Sequence, residues 1–132
     1  MVELLRFLAD HCGFLFASGR FRFVDSLAQS PNGNAMILLE SGALRLRFTR
    51  DRGKSFLEFQ PIRGSRLIWF PLGLLRGVLL GDRGKSEVLD PSWATFIADS
   101  LDDLERRFSD PESTAQLILQ LREQERLRAK DL

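Results

Sequence analysis

The sequence of 132 residues has few of the side chains that most often perform chemistry in proteins. It contains one histidine, one cysteine and no tyrosine, and its formal net charge is only +1. A single cysteine excludes an intramolecular disulfide, and the adjacent His11 and Cys12 are too few to build a tetrahedral zinc site. A nearly neutral chain has no general attraction to nucleic acid or to a membrane surface. We therefore expect neither a metal nor a cofactor.

Long apolar runs are also missing. The longest one, Leu67 to Leu80, is too short for a membrane span and is interrupted by Pro71, Gly73 and Arg76. The first residues lack the basic start and the apolar run of a secretory signal. Together with the lone cysteine, these features predict a cytoplasmic protein without a membrane contact.

His11 and Cys12 are the only residues that could support thiol–imidazole catalysis. Adjacent helical residues project about 100° apart and do not face each other. Both lie near the predicted C-terminus of a helix, whose negative end disfavours a thiolate. We expect a packing cysteine and no catalytic pair.

The tripeptide Gly-Lys-Ser occurs at residues 53–55 and again at 84–86, as it does in phosphate-binding loops. Such a loop needs a glycine five residues before the Gly-Lys pair. Those positions hold Phe48 and Leu79. Two polar turns are therefore the favoured interpretation.

The most informative segment that is present covers residues 44–60, which alternate between apolar and polar side chains on both sides of Arg52-Gly53. Successive strand residues point to opposite faces, so the turn must join even-numbered apolar positions to odd-numbered ones. A turn centred on Arg52-Gly53 does this. It pairs Phe48 with Leu57 and Leu46 with Phe59. On the other face, this register pairs Arg47 with Glu58, Arg45 with Gln60 and Thr49 with Phe56.

A third strand, Ala35 to Glu40, precedes this hairpin. Ser41-Gly42 is a plausible two-residue turn between them and would set Leu39 opposite Leu44 and Ile37 opposite Leu46. All these apolar residues then share one face, which helices must cover.

Helix signals lie at both ends of the chain. Val2 to Cys12 is amphipathic, and Asp90-Pro91 and Asp110-Pro111 each combine an N-cap with a proline at the first helical position. Between the ends, Phe14-Leu15-Phe16 and Arg20 to Val24 are predicted as strands.

The predicted fold is one α+β domain over residues 1–132. It has an antiparallel meander sheet of four to five strands, an N-terminal helix, and two to three C-terminal helices packed on one face. The predicted boundaries are a helix at 1–13, the antiparallel sheet at 14–61 with a loop at 29–34, an apolar linker and short helix at 67–80, and C-terminal helices at 90–132.

The second sheet face is the candidate functional surface, because it is more apolar than a solvated face should be. Arginine mixed with apolar residues is typical of protein interfaces. We predict a non-enzymatic protein that binds a protein partner or self-associates through this face. The predicted contact residues are Met36, Leu38, Arg45, Arg47, Phe56 and Glu58. The alternative is that the N-terminal helix or the Leu67 to Leu80 segment covers this face, which would then be only a second core.

Two other functions compete with this prediction. Nucleic acid could bind to basic residues on the strands and their turn, namely Arg20, Arg22, Arg45, Arg47, Arg52 and Lys54. An enzyme could instead use carboxylates of the acidic helix, namely Asp99, Asp102, Asp103 and Glu105. We consider the enzyme the least supported, because an acidic face opposite an apolar stripe is ordinary for an amphipathic helix.

Arg45-Leu46-Arg47, Asp51-Arg52-Gly53, the apolar Trp69 to Leu80 segment and the acidic helix occur in this order. In this respect the chain resembles a group of short bacterial α+β proteins, some of which are similar to toxin-immunity proteins. The resemblance implies an α+β fold and a function of binding, by analogy with neutralisation of a toxin. It implies no catalytic residue.

Overall fold

A computed structural model describes residues 1–29, 33–64, 66–81 and 86–130 and confirms the α+β fold. An N-terminal helix precedes a five-stranded antiparallel meander in the order β1-β2-β3-β4-β5, and helices follow it. The elements are α1 (Val2–His11), α2 (Phe14–Ala17), β1 (Arg22–Gln29), β2 (Asn34–Glu40), β3 (Leu44–Asp51), β4 (Lys54–Pro61), β5 (Phe70–Pro71), α3 (Leu72–Leu80), α4 (Pro91–Ser109) and α5 (Pro111–Lys130).

The β3–β4 hairpin has the register that the parity of its apolar residues predicts. Phe48 pairs with Leu57, Leu46 with Phe59, and Arg47 with Glu58. The two turn residues, Arg52 and Gly53, have φ angles of 53° and 79°. Two successive positive φ angles belong to the tight hairpin turn whose twist matches that of the strands.

The predicted turn between β2 and β3 is wrong by one residue. Gly42 and Ala43 form it, because the Ser41 N–H donates to the Leu44 carbonyl at 2.9 Å and the Ser41 hydroxyl accepts from the Ala43 and Leu44 N–H groups at 3.2 Å. A serine side chain that binds nearby backbone competes in this way with a simple turn.

This shift changes the predicted pairs without changing the faces. Leu39 lies opposite Leu46, not Leu44, and Ile37 lies opposite Phe48, not Leu46. Each partner moves by two residues, an even number, so the same side chains stay on the apolar face.

The predicted strand at Phe14-Leu15-Phe16 is also wrong, since these residues belong to the short helix α2. Leu15 is fully buried, and Phe16 stacks on Phe23 with ring centroids 5.2 Å apart. Adjacent helical residues project about 100° apart, so Leu15 can enter the core while Phe16 reaches β1 on the same side of the sheet. In a strand the two side chains would point to opposite faces. The second predicted strand exists, but it begins at Arg22 and continues to Gln29. Within the predicted loop, Gln29 and Asn34 pair as strand ends, and residues 30–32 lie outside the described residues.

The helices cover the apolar face of the sheet. Leu4 and Leu8 of α1, Phe108 of α4 and Leu117 of α5 join the sheet's apolar side chains in one buried cluster. Phe59 and Phe108 contact each other with centroids 6.1 Å apart.

The predicted starts of the C-terminal helices are confirmed. The Asp90 carboxylate accepts from the N–H groups of Ser92 and Trp93, and Asp110 accepts from the N–H of Ser113. α3 begins directly after Pro71, as predicted, and ends at Gly81 in the left-handed conformation. None of the helices in the described ranges is long and apolar enough to cross a membrane.

Candidate functional site

The register places every predicted partner-binding residue on the sheet face opposite the helices, which we call the reverse face. The strand pairing orders its side chains in three rows across β1 to β4. The first row holds Arg22, Glu40, Arg45 and Gln60, the second holds Asp25, Leu38, Arg47 and Glu58, and the third holds Leu27, Met36, Thr49 and Phe56.

The first row is a chain of polar contacts that joins four strands. Glu40 accepts from Arg22 at 3.1 Å and from Arg45 Nε at 3.0 Å. Arg45 also donates to Gln60 Oε1 at 3.0 Å, and the Gln60 amide donates to the Ile68 carbonyl at 3.0 Å. Every member of this row therefore has a partner in a neighbouring segment.

Two opposing effects set the pKa of Glu40. Partial burial acts to raise the pKa, but hydrogen bonds from Arg22 and Arg45, with the charges of both, outweigh it and hold the pKa of Glu40 below its ordinary value. The ionised carboxylate is therefore the form that the fold stabilises.

The second row contains the predicted Arg47–Glu58 pair. Arg47 donates to one carboxylate oxygen of Glu58 from Nε at 3.1 Å and from a terminal nitrogen at 2.6 Å. The ring of Trp69 lies over Arg47, with 4.3 Å between the guanidinium carbon and the ring centroid. Charge pairing and an aromatic contact together fix this arginine.

Ile68 lies against the first-row end of the reverse face, and the neighbouring Trp69 lies over Arg47 of the second row. Gln60 is 1% exposed there and Arg45 is 7% exposed. The segment after β4 thus covers this end, and Arg45 offers little surface to a partner. Its contacts hold strands together.

The third row and Leu38 form the open part of the reverse face. Met36, Leu38 and Phe56 are half-buried, and none of them belongs to the core cluster or packs against it among the described residues. Leu27 of β1 lies beside Met36 and is 52% exposed. These apolar side chains are neighbours on one surface.

The sequence analysis missed Leu27. The pairing of β1 with β2 shifts between Phe23 and Asp25, so Val24 forms a bulge. Phe23 therefore lies on the helix-covered side, opposite Leu39, whereas Leu27 lies on the reverse face. Plain alternation of odd numbers would put Phe23 and Leu27 together.

Most of the arginines proposed for nucleic-acid binding are engaged in ion pairs. Arg20 lies 2.7 Å from Asp102, and Arg22, Arg45 and Arg47 bind Glu40 or Glu58 as described above. Within the described residues, Arg52 and Lys54 are exposed at the β3–β4 turn without an ion pair. The basic side chains do not form one continuous free surface.

Three of the four helix carboxylates lie on the surface, whereas Glu105 is half-buried and, among the described residues, one of its oxygens is buried without a hydrogen-bond partner. Asp102 pairs with Arg20, Asp103 pairs with Arg106 and Arg107, and Asp99 is exposed. The described residues contain no group of three or more acidic, histidine or cysteine side chains that could hold a metal ion.

His11 and Cys12 lie in different surroundings. His11 is exposed, with its ring 5.2 Å from that of Phe7, whereas Cys12 is fully buried. Burial raises the pKa of the Cys12 thiol to about 12, so the reactive thiolate is disfavoured.

Comparison with family models, with curated proteins and with solved structures finds no match to this chain. The contacts of the reverse face are therefore the basis of the functional proposal.

Proposed function

We propose that this protein is a non-enzymatic protein-binding module and that its partner contacts the open part of the reverse face. The observation that carries the proposal is an apolar group, Met36, Leu38 and Phe56, that lies outside the core cluster of the described residues. An antiparallel sheet with one solvated face normally alternates apolar and polar residues. Apolar side chains at outward positions therefore call for a partner surface.

The surroundings of this group favour a protein as the partner. Arg47 lies beside Leu38 and is neutralised by Glu58, and Asp25 on the other side of Leu38 adds a negative charge, so the surface has no positive excess. An apolar centre with paired arginine at its border is the composition of many protein interfaces. A surface without a positive excess gives a polyanion little to bind.

The resemblance to immunity proteins suggests a partner class, namely a protein toxin that is neutralised by binding. A cytoplasmic location is part of the same proposal, since the lone Cys12 is typical of a reducing compartment. Both statements stay predictions until a partner is identified.

Paired variants test the proposal. Immobilised wild-type chain, the double variant Leu38→Ser/Phe56→Ser and the control Leu80→Ser/Leu119→Ser would capture proteins from a bacterial lysate, with recovery measured by mass spectrometry. The control residues are 61% and 70% exposed and lie on α3 and α5. Circular dichroism establishes that all three are folded.

We expect wild type and control to recover the same protein and the reverse-face variant to recover at least about tenfold less, a change of about 1.4 kcal/mol. Titration with that purified protein then gives the affinities directly. Equal binding by the reverse-face variant, or no specific protein with any bait, would overturn the proposal.

A further inference from the structure

The two edges of the sheet differ in how they are protected. At one edge, β5 has only two residues and ends in Pro71, and the Leu89 N–H donates to the Ser55 carbonyl of β4 at 2.7 Å. At the other edge, all eight residues of β1 are exposed. Natural edge strands are usually kept short, bulged or charged because unpaired backbone groups can bind another strand. In β1 the bulge and both charged residues lie in the first half, Arg22 to Asp25, and Ser26 to Gln29 have neither.

Two hydrogen bonds show which backbone groups point to the open edge. The Ser26 N–H donates to the Asp25 carboxylate at 2.8 Å, which places that N–H away from β2. The Gln29 carbonyl accepts from the Gly33 N–H at 3.1 Å, within the connection to β2. Because antiparallel strands alternate their hydrogen-bonding direction, Ser26 and Ala28 present their backbone groups to the open edge, and Asp25, Leu27 and Gln29 present theirs to β2.

We propose that residues 25–29 of β1 pair antiparallel with the same residues of a second copy, about a twofold axis at Leu27. In this register Ser26 of each copy exchanges two backbone hydrogen bonds with Ala28 of the other, which satisfies the outward groups of both strands. The Ser26 N–H leaves the Asp25 carboxylate for the Ala28 carbonyl of the second copy.

The side chains of this register are self-complementary. Leu27 meets Leu27 of the second copy on the reverse face, which buries an apolar side chain that is 52% exposed in the single chain. The freed Asp25 carboxylate lies beside Gln29 of the second copy, whose side-chain amide N–H can donate to it. Ser26 and Ala28, both small, meet on the helix-covered side.

Neighbouring registers lack this fit. An axis at Asp25 would set two carboxylates against each other, and like charges opposite each other destabilise a strand pair. An axis at Ser26 would set Asp25 against Leu27 and leave a charge on an apolar neighbour. An axis at Ala28 would set Leu27 against Gln29 and bury no apolar pair. The sequence of the strand therefore favours a second copy as the occupant and Leu27 as the centre.

This pairing joins two sheets at their β1 edges and puts both reverse faces on one side. The two proposals share Leu27 but differ elsewhere, because the edge pairing uses the backbone groups of Ser26 and Ala28, whereas the proposed partner contacts Leu38 and Phe56 on the inner strands. Variants at Ala28 and at Phe56 therefore test the two proposals separately.

The full chain is tested by analytical ultracentrifugation across a range of concentrations. We expect a monomer–dimer equilibrium that reaches twice the chain mass of 15.1 kDa. Ala28→Pro removes an outward N–H and leaves the bonds to β2, since proline is tolerated where an edge N–H faces solvent. Leu27→Lys sets two positive charges on the axis. Both should give a monomer at concentrations where wild type and Leu119→Lys are dimers.

Crosslinking checks the register. Directly opposed residues of a non-hydrogen-bonded pair have Cα atoms about 4.5 Å apart, within the range of a disulfide. We expect Leu27→Cys to form a covalent dimer on oxidation and Leu119→Cys to stay largely monomeric. A wild-type chain that remains monomeric at all concentrations, a dimer that survives both β1 substitutions, or equal crosslinking of the two cysteine variants would overturn the proposal.

Discussion

Arg45 and Glu40 form an ion pair between β3 and β2, with 3.0 Å between Arg45 Nε and Glu40 Oε2. Arg45 is 7% exposed, and its other partner, the Gln60 amide oxygen, carries no charge. Glu40→Ala would leave a buried guanidinium without its carboxylate. We expect the free energy of unfolding, measured by urea denaturation, to fall by about 3 kcal/mol.

Arg22→Ala is the matched control, because Arg22 binds the same carboxylate at 3.1 Å from a side chain that is 76% exposed. Exposed pairs contribute little, so we expect a loss of about 0.5 kcal/mol. Similar losses for the two variants would show that Arg45 does not depend on Glu40.

The same carboxylate predicts a pH dependence of stability. Burial acts to raise the pKa of Glu40, but the hydrogen bonds and charges of Arg22 and Arg45 hold that pKa below its ordinary 4.5. A carboxyl whose pKa is lowered on folding stabilises the fold above the unfolded-state pKa, and this stabilisation is lost as the pH falls through the folded-state pKa.

Urea denaturation of wild type and Glu40→Gln at several pH values isolates this effect. The difference in unfolding free energy should be constant from about pH 6 to pH 8 and should shrink below the unfolded-state pKa of Glu40. A difference that stays constant into strong acid would contradict the assignment to Glu40.

The parts of the fold that could be predicted from sequence are those fixed by local rules. Phe48 has an even number and Leu57 an odd one, so only a turn with an even number of residues puts both on the same face. Asp90-Pro91 is a local signal for the start of a helix, because it combines an N-cap residue with a proline at the first helical position. The reverse-face set followed from the same parity. The residues on this face stayed the same although the Ser41 side chain moved the turn, because each strand partner moved by two residues.

The wrong predictions concern features that depend on contacts between residues far apart in the sequence. Phe14 to Ala17 form a helix because Leu15 packs in the core and Phe16 stacks on Phe23, neither of which is visible from adjacent residues. The bulge at Val24 moved Leu27 to the reverse face. The burial of Arg45 depends on the Ile68 segment, which returns from beyond β4.

Cys12 should be inert in the folded protein. It is fully buried, and burial raises the pKa of its thiol to about 12. We expect an aromatic disulfide reagent to modify it roughly a thousandfold or more slowly than in urea, because reaction requires an opening that costs several kcal/mol. Leu119→Cys, at a 70% exposed position, should react at once. Rapid modification of wild type without unfolding would contradict this burial.

The paired arginines predict weak binding of nucleic acid. Only Arg52 and Lys54, of the basic residues considered for this role, are exposed without an ion pair in the described part of the chain. Affinity for phosphate backbones depends on the number of phosphates neutralised. A gel shift with single-stranded RNA at low salt should show no complex below about 10 µM protein, which is in the middle of the range of non-specific binding at physiological salt. A tighter, salt-sensitive complex that Arg52→Ser/Lys54→Ser abolishes would restore the nucleic-acid hypothesis.

Gly73 is expected to resist replacement because its missing side chain makes room for Glu87. A Cβ at Gly73 would overlap the Glu87 carboxylate, which accepts from the Gly73 N–H at 3.1 Å and lies 2.9 Å from Arg128. Gly73→Ala gains up to about 1 kcal/mol of helix propensity but loses a charged hydrogen bond of about 2 kcal/mol, so the free energy of unfolding should fall by about 1 kcal/mol. Gly13→Ala is the control, since Gly13 has a φ of −56° and a Cβ there meets nothing within 4 Å. It should be neutral or slightly stabilising. A melting temperature of Gly73→Ala equal to or above that of wild type would show that Glu87 does not stabilise α3.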